Sequence, residues 1–388
     1  MMASRFPFPT EKGDKLRMFH HIEQLSLNHK VVLIALHEEP INAEKLQPVQ
    51  ALCSSIHLLA IPRWRGLYNG VRGWINGLPF QVAYFYQRKL KDKIHTIILQ
   101  ENPDVIFSQL IRTVLYTRNL PFYKVLDYMD CFSLICERSA KQSRFLEKWF
   151  WTMEGRRIAA LEKDVFYDFD QRMIISEFDR QNMPVNSPQK ITVVQNGVNF
   201  NYFYPSGSNL SSYSLVFAGN MGYRPNIRAA KYLIEQLLPR LPEVQLLIAG
   251  ARPAKYLLKN KNPQVLVSGW MADIRKAYWS AEIFIAPIFE GGGMQNKVLE
   301  AMACGKPCII STIVNNGIGA EDGKEVLIAN DVDTFVHYIK QLLADQTLKA
   351  QLGHNARKFI CENYSWHKQH ETIENLINHD LEYNRNKY

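Results

Sequence analysis

The sequence of 388 residues predicts an α/β protein of two domains, each built on a parallel sheet. The chain is too long for one ordinary hydrophobic core. Short apolar runs alternate with helical segments, which is the pattern of parallel strands joined by crossover helices. Near the middle, an Asn-Gly turn at 196–197 and a polar spacer at 206–214 interrupt this alternation. We therefore expect the domain boundary near residues 195 to 212.

Composition narrows the class of protein. Hydrophobic residues make up 47% of the chain and charged residues 21%, which is typical of a soluble globular protein. No apolar run approaches the roughly 18 residues of a membrane span, and the first residues lack a signal-peptide core. The six cysteines form no Cys-x-x-Cys pair. We expect a reduced, cytoplasmic chain without structural zinc.

The formal charge of +9 is compatible with three kinds of anionic partner: nucleic acid, a membrane surface or small substrates. The basic residues are dispersed and no nucleic-acid motif is visible, so we expect no nucleic-acid partner. The segment PRWRGLYNGVR at 62–72 mixes arginines with Trp64 and Tyr68, which suits a lipid–water interface. Two interpretations stay open: a peripheral contact with the inner face of the cell membrane, or an ordinary basic loop.

The stretch from Ile283 to Ser311 predicts a strand, a glycine loop, a helix and a second strand. Helix formers run from Met294 to Cys304, and Gly305 ends the helix. Three glycines at 291–293 precede it and let the backbone approach a ligand closely. Free N–H groups at the start of a helix favour an anion there.

Lys297 and Glu300 give this helix its chemistry. Lys297 adds a positive charge in the first turn, and Glu300 lies three residues on, on the same face. A cation for phosphate beside a carboxylate for sugar hydroxyls is what a nucleotide-sugar site needs. The alternative is a solvated ion pair on an ordinary helix.

The segment GGGMQNKVLEAMACGKP at 291–307 resembles the nucleotide-sugar signature of retaining GT-B glycosyltransferases of the group 1, or family 4, type. It is similar to the branch of sugar transferases from bacterial exopolysaccharide clusters. The segment VVQNGVNFNYFYP at 193–205 is similar to the family's NGVD-x-x-x-F-x-P. The resemblance covers nearly the whole chain, is strongest over 265–312 and weakest over 40–100. It implies two Rossmann-like domains with parallel sheets that face each other across a cleft.

The resemblance implies an acceptor-side domain at 1–195, a nucleotide-sugar domain at 196–365, and a helix at 366–388 that crosses back to the first domain. In such a domain the loop at 5–17 should follow a central strand, yet only Met1 to Ser4 precede it. We therefore expect the first strand to be missing, through truncation or a start codon assigned too late.

The resemblance also assigns the donor site. Glu300 matches the glutamate that usually holds the ribose hydroxyls, whereas the family's first glutamate falls at Gly292, and Glu290 is out of register. Arg224 is the candidate for the diphosphate, unless it is a plain surface arginine. The nucleotide base is expected at Trp270 and Met271. The expected donor-binding residues are Gly219, Asn220, Arg224, Gly250, Trp270, Met271, Gly292, Gly293, Met294, Gln295, Asn296, Lys297 and Glu300.

In the first domain, Asp127 and Asp130 follow a predicted strand, at the sheet edge where ligands bind in α/β folds. The family carries a polar residue near this position that faces the donor sugar. We therefore expect a catalytic role for Asp130 first and Asp127 second, the alternative being that either caps the next helix. Gly13, Asp14 and Lys15 are expected in the acceptor-side loop, although a helix cap explains Asp14 equally well.

The resemblance implies transfer of a sugar, with retention, from a nucleotide-diphosphate donor to a glycan or lipid-linked acceptor in surface polysaccharide synthesis. The nucleotide sugar is a substrate, and no bound metal is expected. Two alternatives remain: a nucleotide-sugar epimerase of the same fold, or a transferase-like subunit that binds without turnover. The base, the sugar and the acceptor are not identified by the sequence.

Overall fold

The computed structural model describes residues 1–206, 212–290 and 294–385. The chain divides into two units: unit 1 comprises Met1–Gln195 and the chain from Trp366 onward, and unit 2 comprises Asn196–Ser365. Each unit contains one sheet of parallel strands separated along the chain by helices. The predicted α/β fold with two Rossmann-like parallel sheets is confirmed.

Within its described residues, unit 1 has seven strands and ten α-helices. The strands are β1 Met2–Ala3, β2 Val32–His37, β3 Ser55–Ala60, β4 Val105–Gln109, β5 Tyr123–Met129, β6 Gln171–Ile174 and β7 Thr192–Val193. The helices are α1 Gly13–Leu25, α2 Ala43–Gln50, α3 Arg63–Ile75, α4 Phe80–Phe85, α5 Arg88–Glu101, α6 Val114–Thr117, α7 Phe132–Gln142, α8 Phe145–Asp164, α9 Glu177–Gln181 and α17 Trp366–Arg385. The strand order is β3-β2-β1-β4-β5-β6-β7.

The expectation that the first central strand is missing is wrong for this structure. Strand β1 lies in the middle of the sheet and pairs in parallel with β2 on one side and β4 on the other. Two residues are enough because they serve both faces of the sheet: Met2 packs in one hydrophobic cluster and Ala3 in the other. The long neighbouring strands supply most of the remaining contacts.

Helix α17 belongs to the core of unit 1. Its Ile373 and Ile377 are buried in the same cluster as Ala3 and Leu33. Its first residue, Trp366, stacks on His20 of α1 with ring centroids 4.3 Å apart. The end of the chain thus completes one face of the first sheet.

Within its described residues, unit 2 has six strands and seven α-helices. The strands are β8 Tyr213–Ala218, β9 Leu246–Ala249, β10 Val265–Gly269, β11 Ala281–Ala286, β12 Cys308–Ile310 and β13 Leu327–Ile328. The helices are α10 Arg224–Tyr232, α11 Lys255–Leu258, α12 Arg275–Trp279, α13 Asn296–Ala303, α14 Thr312–Asn315, α15 Val332–Ala344 and α16 Gln346–Asn363. The strand order is β10-β9-β8-β11-β12-β13, with every pair parallel.

Local interactions set the bounds of two helices of unit 2. Helix α12 begins only at Arg275, because the Asp273 carboxylate accepts from the Arg275 backbone N–H at 3.1 Å and holds the preceding turn. Helix α10 changes to a π turn at Leu233–Leu237, just before Pro239.

The structure predicts that Gly250→Ala destabilises the protein by at least ~2 kcal/mol. Gly250 has φ +134, and a Cβ there would overlap the carbonyl oxygen of Gly219. Gly269→Ala is the matched control, since Gly269 also has positive φ but open space around its Cβ position, and should cost about 1 kcal/mol. Denaturant unfolding measures both. Equal losses would show that the close approach of the two strand ends is not a constraint.

Candidate functional site

The carboxyl edge of the second sheet brings its backbone unusually close together. Gly219, Gly250 and Gly269 lie at or just after the ends of β8, β9 and β10. The Gly219 N–H donates to Ala249 at 2.9 Å, and the Gly250 N–H donates to the Gly269 carbonyl at 2.9 Å. A Cβ on Gly219 would lie 2.8 Å from the Asn226 amide nitrogen. Small residues are therefore required at positions 219 and 250 of this edge, where ligands bind in open α/β sheets.

Lys297 projects from the first turn of α13 toward this edge. Its Nζ donates to Asn226 Oδ1 at 2.8 Å and to Gln295 Oε1 at 2.9 Å, and it lies 5.8 Å from the centre of the Phe217 ring. Burial lowers the pKa of Lys297 to about 8, although the charge of Glu300 acts in the opposite direction. Within the described residues no carboxylate forms an ion pair with this ammonium, so its charge suits an incoming anion.

Glu300 lies one turn further along α13 and has a partner that the sequence did not reveal. Its Oε2 accepts from the hydroxyl of Tyr278 at 2.6 Å, and that tyrosine is fully buried on α12. Burial raises the pKa of Glu300, while the Tyr278 hydrogen bond and the Lys297 charge act to lower it. The buried hydroxyl fixes one carboxylate oxygen and leaves the other, Oε1, for a ligand.

The Asn-Gly turn between the units contributes to the same helix terminus. Asn196 is buried, and its Nδ2 donates to Asn296 Oδ1 at 3.0 Å. Asn296 is the first residue of α13, and the buried Met294 lies just before it. The sequence identified Asn196 only as a turn residue. The structure shows that it also holds the start of the candidate donor-binding helix.

Two further donor-site expectations lie on α10 and on the loop before it. Asn220 accepts from the Gly222 N–H at 2.9 Å and so shapes the loop after β8. Arg224 is the exposed first residue of α10. Arg228, one turn further on, was missed: its guanidinium forms an ion pair with Glu290, whose side chain is only 9% exposed. Arg228 thus adds a second arginine to this region.

The remaining donor residues differ in what the structure says of them. Trp270 follows β10 directly and is exposed, and Met271 beside it is half-buried. Both stay candidates for the base. Gly292 and Gly293 lie outside the described residues.

In unit 1, Asp127 is enclosed rather than open. Its Oδ2 accepts from Arg17 Nε at 2.7 Å and its Oδ1 from Arg17 Nη2 at 3.1 Å, with both side chains fully buried. Although burial alone would raise it, the charge of Arg17 holds the pKa of Asp127 at about 2. Burial also lowers the pKa of the neighbouring His21 to about 4. This arrangement fits a structural ion pair better than a group that touches substrate.

Asp130, three residues on, has a different environment. Burial raises its pKa well above the ordinary range, and the nearby Asp179 carboxylate adds to the effect. It does not cap α7, because the first N–H groups of that helix at Phe132 and Ser133 donate to Glu162 Oε1. Met129, beside it, has φ 63, which is strained for a side chain of this size. Asp130 is the better candidate of the two aspartates for contact with substrate.

The expected acceptor-side residues open α1. Asp14 accepts from Arg5 Nη1 at 2.7 Å instead of capping the helix. Burial alone would raise the pKa of Asp14, but the charges of Arg5 and Arg112 outweigh it and the pKa is lowered. Lys15 is half-buried, and burial lowers its pKa. Gly13 is the first residue of α1, and a Cβ there would lie 3.2 Å from Met129 Cε, so this turn packs against the end of β5.

Arg112 was not expected from the sequence. Its guanidinium lies 5.4 Å from the centre of the Phe85 ring and 5.2 Å from that of Phe132, and it donates to Gln81 Oε1 at 2.9 Å. Arg112 Nη1 also lies 4.0 Å from Asp14 Oδ2, so two arginines, Arg5 and Arg112, approach that carboxylate. Among the described residues, no group of three or more His, Cys, Asp or Glu side chains could hold a metal ion.

Known proteins resemble this chain in sequence. Residues 212–345 match the family model described as glycosyl transferases group 1. An uncharacterised 44.6 kDa protein in the cps region of Klebsiella pneumoniae is 22% identical over 96% of this chain and 98% of its own length. A UDP-Gal:α-D-GlcNAc-diphosphoundecaprenol α-1,3-galactosyltransferase of Escherichia coli is 28% identical over 49% of this chain and 54% of its own.

The fold is similar to that of sucrose-phosphate synthase from Thermosynechococcus elongatus, with a TM-score of 0.73, 17% identity and 97% of each chain covered. The chain therefore has the GT-B fold. Its second unit contains a group 1 glycosyltransferase domain, and the protein is a glycosyltransferase.

Asp127 within β5 and Asp130 just after it have different environments, so replacing each by asparagine should have opposite effects on stability. The raised pKa of Asp130 means that its contribution to stability is present below the unfolded value of about 4 and is lost as pH rises through the folded value. Asp130→Asn should therefore gain stability relative to the parent as pH rises from about 5 to 8, by ~1 kcal/mol or more. Asp127→Asn should instead lose about 3–5 kcal/mol at neutral pH, because it leaves Arg17 buried without a counter-charge.

Unfolding free energies measured across this pH range for the parent and both variants test the contrast. A pH-independent effect of Asp130→Asn would show that Asp130 is ionised in the folded protein at neutral pH. A neutral effect of Asp127→Asn would contradict the buried ion pair.

Proposed function

We propose that this glycosyltransferase moves a sugar from a nucleotide-diphosphate sugar to a glycan or lipid-linked acceptor in surface polysaccharide synthesis, at the inner face of the cell membrane and with retention of configuration. The observation that carries the donor half is the environment of Lys297. A half-buried ammonium held by two neutral amide oxygens has electrostatic capacity left for a phosphate group. The glycine edge beside it lets the ligand approach the backbone.

In this proposal the leaving diphosphate is the anion that Lys297 binds. Charge develops on the diphosphate as the glycosidic bond breaks, and a fixed cation in a desolvated site stabilises that charge. Arg224, on the exposed first turn of α10, adds a guanidinium that can take two phosphate oxygens. Glu300 accepts hydrogen bonds from the ribose hydroxyls, and Tyr278 fixes its orientation.

In unit 1, Asp130 is the residue that we propose for contact with a sugar substrate. Its raised pKa keeps the carboxyl protonated at neutral pH, so it can donate a hydrogen bond to a sugar hydroxyl. The name of the Escherichia coli relative describes a UDP-sugar donor and an acceptor with a diphosphate-linked lipid. That name supports testing UDP-sugars first and a lipid diphosphate as the acceptor class.

The test combines turnover with binding. The parent protein should release nucleotide from at least one sugar in a panel of UDP-, GDP- and ADP-sugars. Lys297→Met should weaken binding of the matching nucleoside diphosphate by roughly 1.5–3 kcal/mol, as for a lost charged hydrogen bond, while the free nucleoside is much less affected. Lys231→Met is the control, because Lys231 is an exposed lysine of the same unit. Calorimetry measures the affinities.

Equal losses for the diphosphate and the nucleoside would show that Lys297 acts on the fold and not on phosphate. Tight binding without turnover on any donor would favour the binding-subunit alternative over the transferase.

A further inference from the structure

An unusual surface of unit 1 lies on the outer side of α3. The large apolar side chains of this helix recur three or four residues apart and therefore share one face. Their exposed fractions range from 54% at Val71 to 74% at Ile75. The members of this face are Trp64, Leu67, Tyr68, Val71 and Ile75.

The inner side of α3 explains why this face points outward. Glycines occupy the positions that touch the neighbouring α4: a Cβ on Gly66 would lie 2.5 Å from Tyr84 Cζ, and one on Gly70 would lie 2.7 Å from Phe80 Cε2. An amphipathic helix of a globular protein normally buries its large apolar residues, and each glycine costs about 1 kcal/mol relative to alanine. In α3 the glycines face the protein and the large apolar residues face outward. Packing within unit 1 therefore does not account for the outer residues.

The start of α8 extends the same surface. Phe145 and Leu146 are 93% and 81% exposed, and the exposed Trp149 ring lies 5.4 Å from that of Trp74 at the end of α3. We call the outer residues of α3 together with Phe145, Leu146 and Trp149 the apolar face. It groups eight exposed apolar side chains, whereas a protein surface ordinarily exposes such side chains singly.

Buried polar contacts hold the two helices in register. The Arg157 guanidinium of α8 donates to the carbonyls of Trp74 and Leu78 at the end of α3. The buried Glu154 of α8 accepts from the N–H groups of Phe80 and Gln81, at 2.8 and 3.1 Å, and so caps α4. The apolar face is thus part of a fixed structure rather than a loose end.

Basic side chains surround this face. Segments 63–75 and 144–149 contain five basic residues and one acidic residue, Glu147. Arg65 lies over the Trp64 ring at 5.0 Å, and Arg72 and Arg144 are also exposed. Aromatic rings with polar tips, aliphatic side chains and arginines together match the boundary between lipid headgroups and acyl chains.

We propose that the apolar face docks on the anionic surface of a lipid bilayer, with α3 lying in the plane of the interface. The amphipathic pattern and its charge are those of a helix that lies on a membrane. Across the described residues, no helix is long and apolar enough to cross a bilayer. A second copy of the chain fits this face less well, because twofold pairing would place its arginines against those of the partner. This docking goes beyond the proposed donor chemistry and does not depend on it.

The test uses the full chain and two kinds of vesicle: phosphatidylcholine alone, and phosphatidylcholine mixed with phosphatidylglycerol. Co-sedimentation measures the bound fraction. The parent should bind the anionic vesicles and release from them as salt is raised. The pair Arg65→Gln and Arg72→Gln should lower the partition coefficient roughly fivefold for each charge removed.

The pair Leu67→Ser and Ile75→Ser should lower partition about tenfold or more, because it removes buried aliphatic groups. Leu99→Ser with Leu258→Ser is the matched control, since those leucines are 61% and 63% exposed elsewhere on the chain, and it should bind as the parent does.

Several outcomes would overturn the proposal: no binding of the parent to anionic vesicles, equal binding to neutral ones, or equal losses in the control pair. A parent that dimerises through this face and ignores vesicles would assign the face to a second copy instead. Circular dichroism and thermal unfolding, measured on the same variants, show that they are folded. A lack of glycosyl transfer would leave the vesicle result intact, so the two proposals fail separately.

Discussion

The candidate donor site depends on one positive charge, with which no carboxylate in the described part of the chain forms an ion pair. Lys297 is held by amide oxygens of Asn226 and Gln295, which fix its position without neutralising it. Asn226 can reach the lysine only because Gly219 has no side chain in the way. The glycine edge, Asn226 of α10 and Lys297 of α13 therefore depend on one another. Replacing any of them by a larger or charged residue would displace or neutralise the ammonium.

In unit 1, by contrast, buried charges form an ion pair. Arg17 and Asp127 neutralise each other completely in the interior, at a position that links α1 to the central strands. Asp127 lies within β5, and the partly buried Asp130 follows directly after the strand. Neighbouring carboxyl groups therefore have pKa values shifted in opposite directions, one by a counter-charge and one by burial near Asp179. Opposite pKa shifts of neighbouring carboxyl groups are typical of functional sites, in which one group has a structural role and the other contacts the substrate.

The sequence predicted those parts of the fold and the candidate site whose residues are contiguous in the chain, and it missed those formed by distant residues. The helix at α13 and its Lys297 were predictable, because the glycine loop, the helix formers and the stop signal are contiguous. The partners of the site were not, because they are distant: Tyr278 lies 22 residues from Glu300, Glu290 lies 62 from Arg228, and Asn196 lies 100 from Asn296.

The short central strand was mispredicted for a related reason, since the residues that pair with Met2, Ile34 of β2 and Ser108 of β4, are distant in the chain. For α3, composition indicated an interface, but only the structure shows that the glycines face inward.

Proton uptake on nucleotide binding tests whether the Lys297 ammonium binds the diphosphate. If the Lys297 ammonium, with its pKa lowered to about 8, binds the diphosphate, then binding near that pH must draw a proton onto the lysine. Calorimetry of UDP binding at pH about 8, in buffers of different ionisation enthalpy, counts that proton. The parent protein should take up protons when UDP binds, and Lys297→Met should not. Binding without proton uptake, or the same uptake in both proteins, would contradict it.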